Sequence, residues 1–341
     1  MFSTTAEEMA TTSITSATQP LLECAEFQGF EEDFNDHGDN WANNEDPLPV
    51  QPITEIEEIH TSFTVVDSMD QKSGYTHYLL ESNQGMLFHG HEPTHEWALI
   101  LAKGIQDGGK AFVELSERSF VYVDRLYPMY DQSMTRFSGD TQALTVFTKE
   151  QPILSQKTYN TPHYARCTFQ EVKRCERILR SPHRNLAKYL GAVTKRIEGE
   201  DRVVRIAYRR YTMDLHEFVI MKRLLRSRHV PFILRSLKRA IHHLHRLGLV
   251  HCDVRPPNIF VSFDKHKKGS LYLTEVVLGD FDASLEIGEK VALKRANGDW
   301  WPQDVGWGDK ANASIDEHSL RKLKTWLNVD GLGKSPWAEE W

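Results

Sequence analysis

The chain has 341 residues, 40% of them hydrophobic, and a formal net charge of −7. That length predicts two domains or one two-lobed domain, with enough apolar residues for a buried core. The longest apolar runs fall far short of the ~20 residues a bilayer-spanning helix needs, and Met1-Phe2-Ser3-Thr4 has neither the basic nor the apolar part of a secretory leader, so neither a membrane-spanning nor an exported protein is expected.

The charge is unevenly spread. Residues 1–60 hold fourteen Asp and Glu and no Lys or Arg, and taking that −14 from the overall −7 leaves +7 for the remainder. Residues 1–57 are rich in Ser, Thr, Asp, Glu and Asn and lack apolar periodicity outside Leu21–Phe30, which predicts a disordered acidic tail. From residue 58 the pattern turns β-like. Ser62–Val66, His77–Leu80, Met86–His89, Trp97–Leu101, Ala111–Leu115 and Phe120–Val123 are predicted short strands, punctuated by Gly85, Gly90, Gly104, Gly108 and Gly109. His89-Gly90-His91 with His95 has some ligands of a zinc site but reads as a strand end and loop.

Ala143–Lys149 is the clearest predicted strand. A helix is predicted over 168–180, with Val172, Cys175 and Leu179 on one face; Leu186–Val193 then leads into a strand, and a strand over Arg202–Tyr208 follows. A polar hinge over Arg209–Asp214 comes next. The basic run Lys222–His229 lacks the interleaved aromatics of a nucleic-acid surface and reads as a solvated helix face. A long helix over 230–247 carries the stripe Ile233, Leu237, Ile241 and Leu244, and Gly248 caps it. Lys265–Gly269 is the basic loop of a hairpin whose second strand is Leu271–Leu278. No clear periodicity marks the segment from Asp280 to Trp307, and a last helix starts near Ile315 with Leu320, Leu323 and Leu327 on one face. The four cysteines, Cys24, Cys167, Cys175 and Cys252, form no CxxC pair and read as reduced thiols of a cytoplasmic or nuclear protein.

One stretch carries a chemical pattern. His251-Cys252-Asp253-Val254-Arg255-Pro256-Pro257-Asn258 puts an Asp two residues after a His, a cation two further on, and an Asn five after the Asp. This spacing suits phosphoryl transfer: a carboxylate beside the attacking hydroxyl, a cation near the transferred phosphate and an amide oxygen on a metal. Leu278-Gly279-Asp280-Phe281-Asp282 adds a second Asp at a strand end, able to hold the other face of that metal.

On these residues the chain resembles the protein-kinase-like superfamily. His251–Asn258 is similar to the pattern H-R-D-x-K-x-x-N, and Asp280-Phe281-Asp282 to D-F-G. The phrase Leu179–Gly191 is similar to the turn after helix C, particularly in small fungal members. The resemblance implies an α+β, two-lobed fold: a β-rich N-lobe with divergent N-terminal strands over 58–208 and a truncated helical C-lobe over 209–341. It implies ATP and Mg²⁺ as cofactors and phosphoryl transfer to a protein Ser or Thr hydroxyl. Asp253, Arg255 and Asn258 are then the catalytic group. Lys149, Glu171, Asn258 and Asp280 bind the cofactor, with Asn258 and Asp280 on the metal. Lys149 would end a phosphate-pairing strand and form an ion pair with Glu171, Glu176 being the other candidate. His251 would pack beneath Phe281 as a buried structural histidine, and Asp316 would support the catalytic-loop backbone. A monomer acting on a protein or peptide is expected, with no membrane and no nucleic acid as partner.

Four features depart from the family pattern. Cys252 stands where the family has Arg, Arg255 where it has Lys, and Asp282 where it has Gly. No G-x-G-x-x-G precedes Lys149, Gly139 alone lying near that place. A small-molecule phosphotransferase of the aminoglycoside or choline kinase kind, and a pseudokinase binding module, therefore stay open as alternatives.

Overall fold

A computed structural model describes residues 63–70, 74–82, 86–95, 118–151, 163–265, 270–329 and 331–332. The chain divides into two units, 1–48 and 49–341, and every described residue belongs to the second. The predicted acidic tail, the strands over 97–101 and 111–115 and the loop at 266–269 lie outside the described residues.

The first described elements form an antiparallel meander in the order β1-β2-β3-β4: β1 (Phe63–Asp70), β2 (Tyr75–Ser82), β3 (Leu87–Pro93) and β4 (Arg118–Val121). Gly74, at φ +81°, makes the turn into β2. Leu79, Leu87 and Val121 pack with Val123 and Leu126 of a one-turn helix, α1 (Val123–Leu126), and with Ile197. Val123, expected in the last of these strands, instead opens that helix. Ion pairs Glu81–Lys195 and Asp124–Arg202 join this meander to the next sheet.

That sheet runs β5-β7-β6, from β5 (Val146–Lys149), β6 (Tyr189–Ile197) and β7 (Glu200–Arg209). Glu198 and Gly199 connect β6 to β7, both with positive φ, the geometry that matches the twist of paired strands in a two-residue hairpin loop. The expected strand over 143–149 is shorter than its apolar pattern. Ala143 accepts from Val146 N, so residues 143–145 turn and only the last four extend. The strand that Leu186–Val193 leads into runs over 189–197, because Asn185 O and Ala187 N bond to the far end of another strand at Leu278. The helix expected from 168 begins at His163, as α2 (His163–Leu179). Its Cys167, Glu171, Val172, Cys175 and Ile178 recur at helical spacing and are buried.

The chain then leaves β7 through 209–214 into a helical half. β8 (Met213–Asp214), β10 (Ile259–Lys265) and β11 (Leu271–Leu278) form a sheet in the order β11-β10-β8. A helical turn at Glu217–Met221 was not evident in the sequence pattern. α3 (Val230–Arg246) buries Ile233, Leu237, Ala240, Ile241 and Leu244, at about 1.5–3 kcal/mol for each fully buried large aliphatic side chain. Gly248, at φ +73°, ends it. β9 (Leu249–Val250) pairs with β12 (Leu285–Glu286), and α4 (Ala313–Val329) packs Leu323 and Leu327 into the same core. The fold is α+β and two-lobed, with the 251–258 and 278–282 segments between the β5–β7 sheet and the helices. Among the described residues no helix is long and apolar enough to cross a membrane.

Candidate active site

Lys149 is the last residue of β5, in register with buried Ile206 of β7. Its ammonium donates to Glu171 Oε2 at 2.7 Å, to Asp282 Oδ2 at 3.0 Å and to Asp280. Glu171 lies on the inward face of α2, fully buried, and its other oxygen accepts from the Tyr208 hydroxyl at 2.8 Å. Glu176 points elsewhere: it accepts from Thr135 N at 2.6 Å and Thr135 Oγ1 at 3.0 Å. Of the two acids, Glu171 is therefore the one beside Lys149.

Burial works against the charged form of Lys149, but Asp280, Asp282 and Glu171 outweigh it and hold its pKa well above the ordinary lysine value. Glu171 carries the cost. Burial pushes its carboxyl up to about 7, against the pull of Lys149. Asp280 goes the other way, because Lys149 and Lys294 overcome its burial and keep it well below the usual carboxylate range.

The loop from His251 to Asn258 is held from below by Asp316, in the first turn of α4. Its fully buried carboxylate accepts from His251 N and Cys252 N, both at 2.9 Å, and sits 2.9 Å from His245 Nε2. His251 accepts from Asp253 N at Nδ1 (3.3 Å), so Nε2 carries the hydrogen donated to Gly279 O at 3.0 Å. Both ring nitrogens are thereby used in a neutral ring, whose edge meets Phe281 at 5.5 Å between centroids. His251 is a buried brace between the two segments, and proton transfer falls to other groups. Cys252 and Asp280 both have positive φ, +65° and +63°, a backbone strain of order 1–3 kcal/mol that the Asp316, His251 and Lys149 contacts offset.

Asp253 is nearly fully buried, and burial raises its pKa. Asn258 Nδ2 donates to Asp253 Oδ2 at 2.7 Å and to its carbonyl at 3.0 Å, and Arg255 Nε lies 3.0 Å from Oδ1. With both amide hydrogens taken by Asp253, the Asn258 amide oxygen is left to accept or ligate. Gly279 N donates to Asn258 O at 2.9 Å, which ties this loop to the end of β11 beside Asp280. The structure thus brings Lys149, Glu171, Asp253, Arg255, Asn258 and Asp280 into one connected cluster.

Glu171, Asp280 and Asp282 present carboxylate oxygens within 4.8 Å of one another, gathered on the Lys149 ammonium. Asp282 Oδ1 is buried with no hydrogen-bond donor, a hard oxygen of the kind that suits a divalent cation. Among the described residues no other group of His, Cys, Asp and Glu converges this way. The histidines near residue 90 stack instead, His77 against His89 and His91 at 5.3 and 5.5 Å between ring centroids. Of the expected basic face, Arg226 and Arg228 spend their guanidinium groups on backbone carbonyls, Arg228 on Leu271 O at 2.9 Å.

Two site residues escaped sequence reasoning because each acts at or with the stretch after Asp282, which has no periodicity to place it. Lys294 donates to Asp282 Oδ2 at 2.6 Å. Arg174, one turn beyond Glu171 on α2 and buried, reaches Ser284 O at 3.4 Å, Glu286 at 3.2 Å and Glu289 at 2.6 Å. It clips the segment after Asp282 to the helix that carries Glu171. The absence of a glycine-rich motif before Lys149 has a structural counterpart. The chain leading to β5 is bonded to β6 and β7, through Val203 N to Pro128 O, Ala192 N to Thr135 O and Phe137 N to Ala192 O, and makes no hairpin against β5 among the described residues.

Residues 143–301 match the family model described as protein kinase domain. A search of curated proteins finds no match. One solved structure that aligns is titled as the crystal structure of the yeast RNA Pol II CTD kinase CTDK-1 complex, at 12% identity and a TM-score of 0.39, covering 54% of each chain. The chain thus spans about half the length of that one.

Proposed function

We infer, from a chain that belongs to the protein-kinase-like superfamily through residues 143–301, that it transfers the terminal phosphoryl group of ATP to a Ser or Thr hydroxyl of a protein, with Mg²⁺. The observation that carries this reading is the joint placement of the Lys149–Glu171 pair, Asp280 and the Asp253–Asn258 pair in one cluster.

Lys149, held by Glu171, meets phosphate oxygens as a fixed cation. Asn258 Oδ1 and Asp280 would hold the metal ion, which neutralises phosphate charge when bound. Asp253 accepts a hydrogen bond from the acceptor hydroxyl and aligns it for attack. Its acidity makes this role mainly positional, and the raised pKa moves it toward a better base. Arg255 Nε lies against Asp253 and leaves the rest of a planar guanidinium for the migrating phosphoryl group.

A ligand that binds only the folded state raises its melting temperature. ATP with Mg²⁺ is expected to do so, by several degrees at millimolar concentration, and Lys149→Ala and Asp280→Asn are each expected to blunt the shift. No shift for the parent protein would overturn the reading in favour of a pseudokinase.

A further inference from the structure

We propose that Lys294 is a second phosphate-binding lysine of this site, gripping the terminal phosphate of the nucleotide while Lys149 holds the phosphates behind it. The inference rests on the ATP-dependent reading above.

Three observations converge on Lys294. Its ammonium and that of Lys149 share a single oxygen, Asp282 Oδ2, at 2.6 and 3.0 Å. Two cations touching one atom are close enough to grip successive phosphates of one polyphosphate chain. Lys294 also lies on the open side of the cluster: its side chain is 34% exposed, against 2% for Asp282. Finally, its charge interacts with Asp280, Asp282 and Asp253. Asp280 and Asp282 raise its pKa despite burial, and its own charge acts on Asp253.

Asp282 explains why the lysine stays there. A buried carboxylate is costly unless cations surround it, and Lys149 is already divided among Glu171, Asp280 and Asp282. Lys294 relieves that shortage, and the backbone bond from Ala296 N to Cys252 O at 2.9 Å pins its segment to the catalytic loop. Among the described residues, the cover of backbone donors that a glycine-rich loop supplies has no counterpart before β5. A second ammonium supplies positive charge from the other side of the site. Asp282 and Lys294 are thus one device: the acid that replaces the family's glycine holds the lysine that stands in for the loop.

The test is the ratio of ATP to ADP affinity, measured by calorimetry on the full chain with Mg²⁺. Wild type is expected to bind ATP at least about tenfold more tightly than ADP, the size of one charge-assisted contact. Lys294→Met should bring the two affinities close together by weakening ATP and leaving ADP alone, and Lys294→Arg should keep the preference. If Lys294→Met does not fold, the double variant Lys294→Met/Asp282→Asn, which removes both members of the pair, carries the same expectation. A preserved ratio in the truncated variant overturns this inference and leaves the phosphoryl-transfer reading standing. Tighter ATP binding by the variant overturns it too, because Lys294 would then be a plug. Wild type binding neither nucleotide overturns both.

Discussion

Burial pushes the Glu171 carboxyl up to about 7, well above the 4.5 of a free glutamate. The sign of its effect on stability follows. Between pH 4.5 and 7 the folded chain holds a proton that the unfolded chain has lost, so this group's contribution falls as pH rises through that window, by up to about 3 kcal/mol. Below pH 4.5 both states are protonated and the dependence vanishes. Function runs the other way, because only the ionised carboxylate fixes Lys149 as a charged partner. Wild type should therefore lose melting temperature relative to Glu171→Gln from pH 5 to 7.5, while its affinity for Mg²⁺·ATP climbs. Parallel melting curves for the two proteins would contradict this. The sequence pointed to Glu171 with Glu176 as the alternative, and the helix phase decides between them: α2 turns Glu171 inward with Cys175 and turns Glu176 toward Thr135. Lys294 was invisible because a long-range pair leaves no local pattern.

Among the elements, α4 matters through its first turn. Asp316 joins that helix to the His251–Asn258 loop by accepting from His251 N and Cys252 N, the latter residue at a positive φ of 65°. Asp316→Ala orphans two buried N–H groups, at about 1–3 kcal/mol each, and should lower the melting temperature by roughly 10 °C for a chain of this size. Asp316→Asn, which keeps one acceptor oxygen, should fall between. An alanine variant as stable as wild type would contradict the bracing role. Helices with a sustained stripe were legible in the sequence, α3 to within a residue. Strand ends were not. The apolar run 143–149 could not reveal that Ala143 is spent on a turn, and Leu186–Ala187 look like strand residues although Leu186 N bonds to His183 O and Ala187 N to Leu278 O.

At the scale of the molecule, the catalytic pattern and the two-lobed fold were readable together, since the His251–Asn258 and Asp280–Asp282 spacings presuppose a strand, a brace and a facing sheet. The meander over 63–121 was legible only as short strands. A small core around Leu79, Val123 and Ile197 of β6 packs it against the β5–β7 sheet. The lobes meet through backbone bonds between Asn185, Ala187 and Leu278 and through side chains: Lys149 reaches from the sheet to Asp280 and Asp282, and Arg174 from α2 to Glu286 and Glu289. Such a molecule should couple nucleotide to acceptor through Asp253. The most direct measurement is transfer of label from γ-³²P-ATP, with Mg²⁺, to a mixed Ser/Thr peptide library by wild type and by Asp253→Asn, whose nucleotide binding is checked separately. Phosphoserine or phosphothreonine in the peptides, falling by a factor of about 10²–10⁴ in the variant while ATP still binds, is the expected result; unlabelled peptides with wild type, or equal labelling by both proteins, would contradict it.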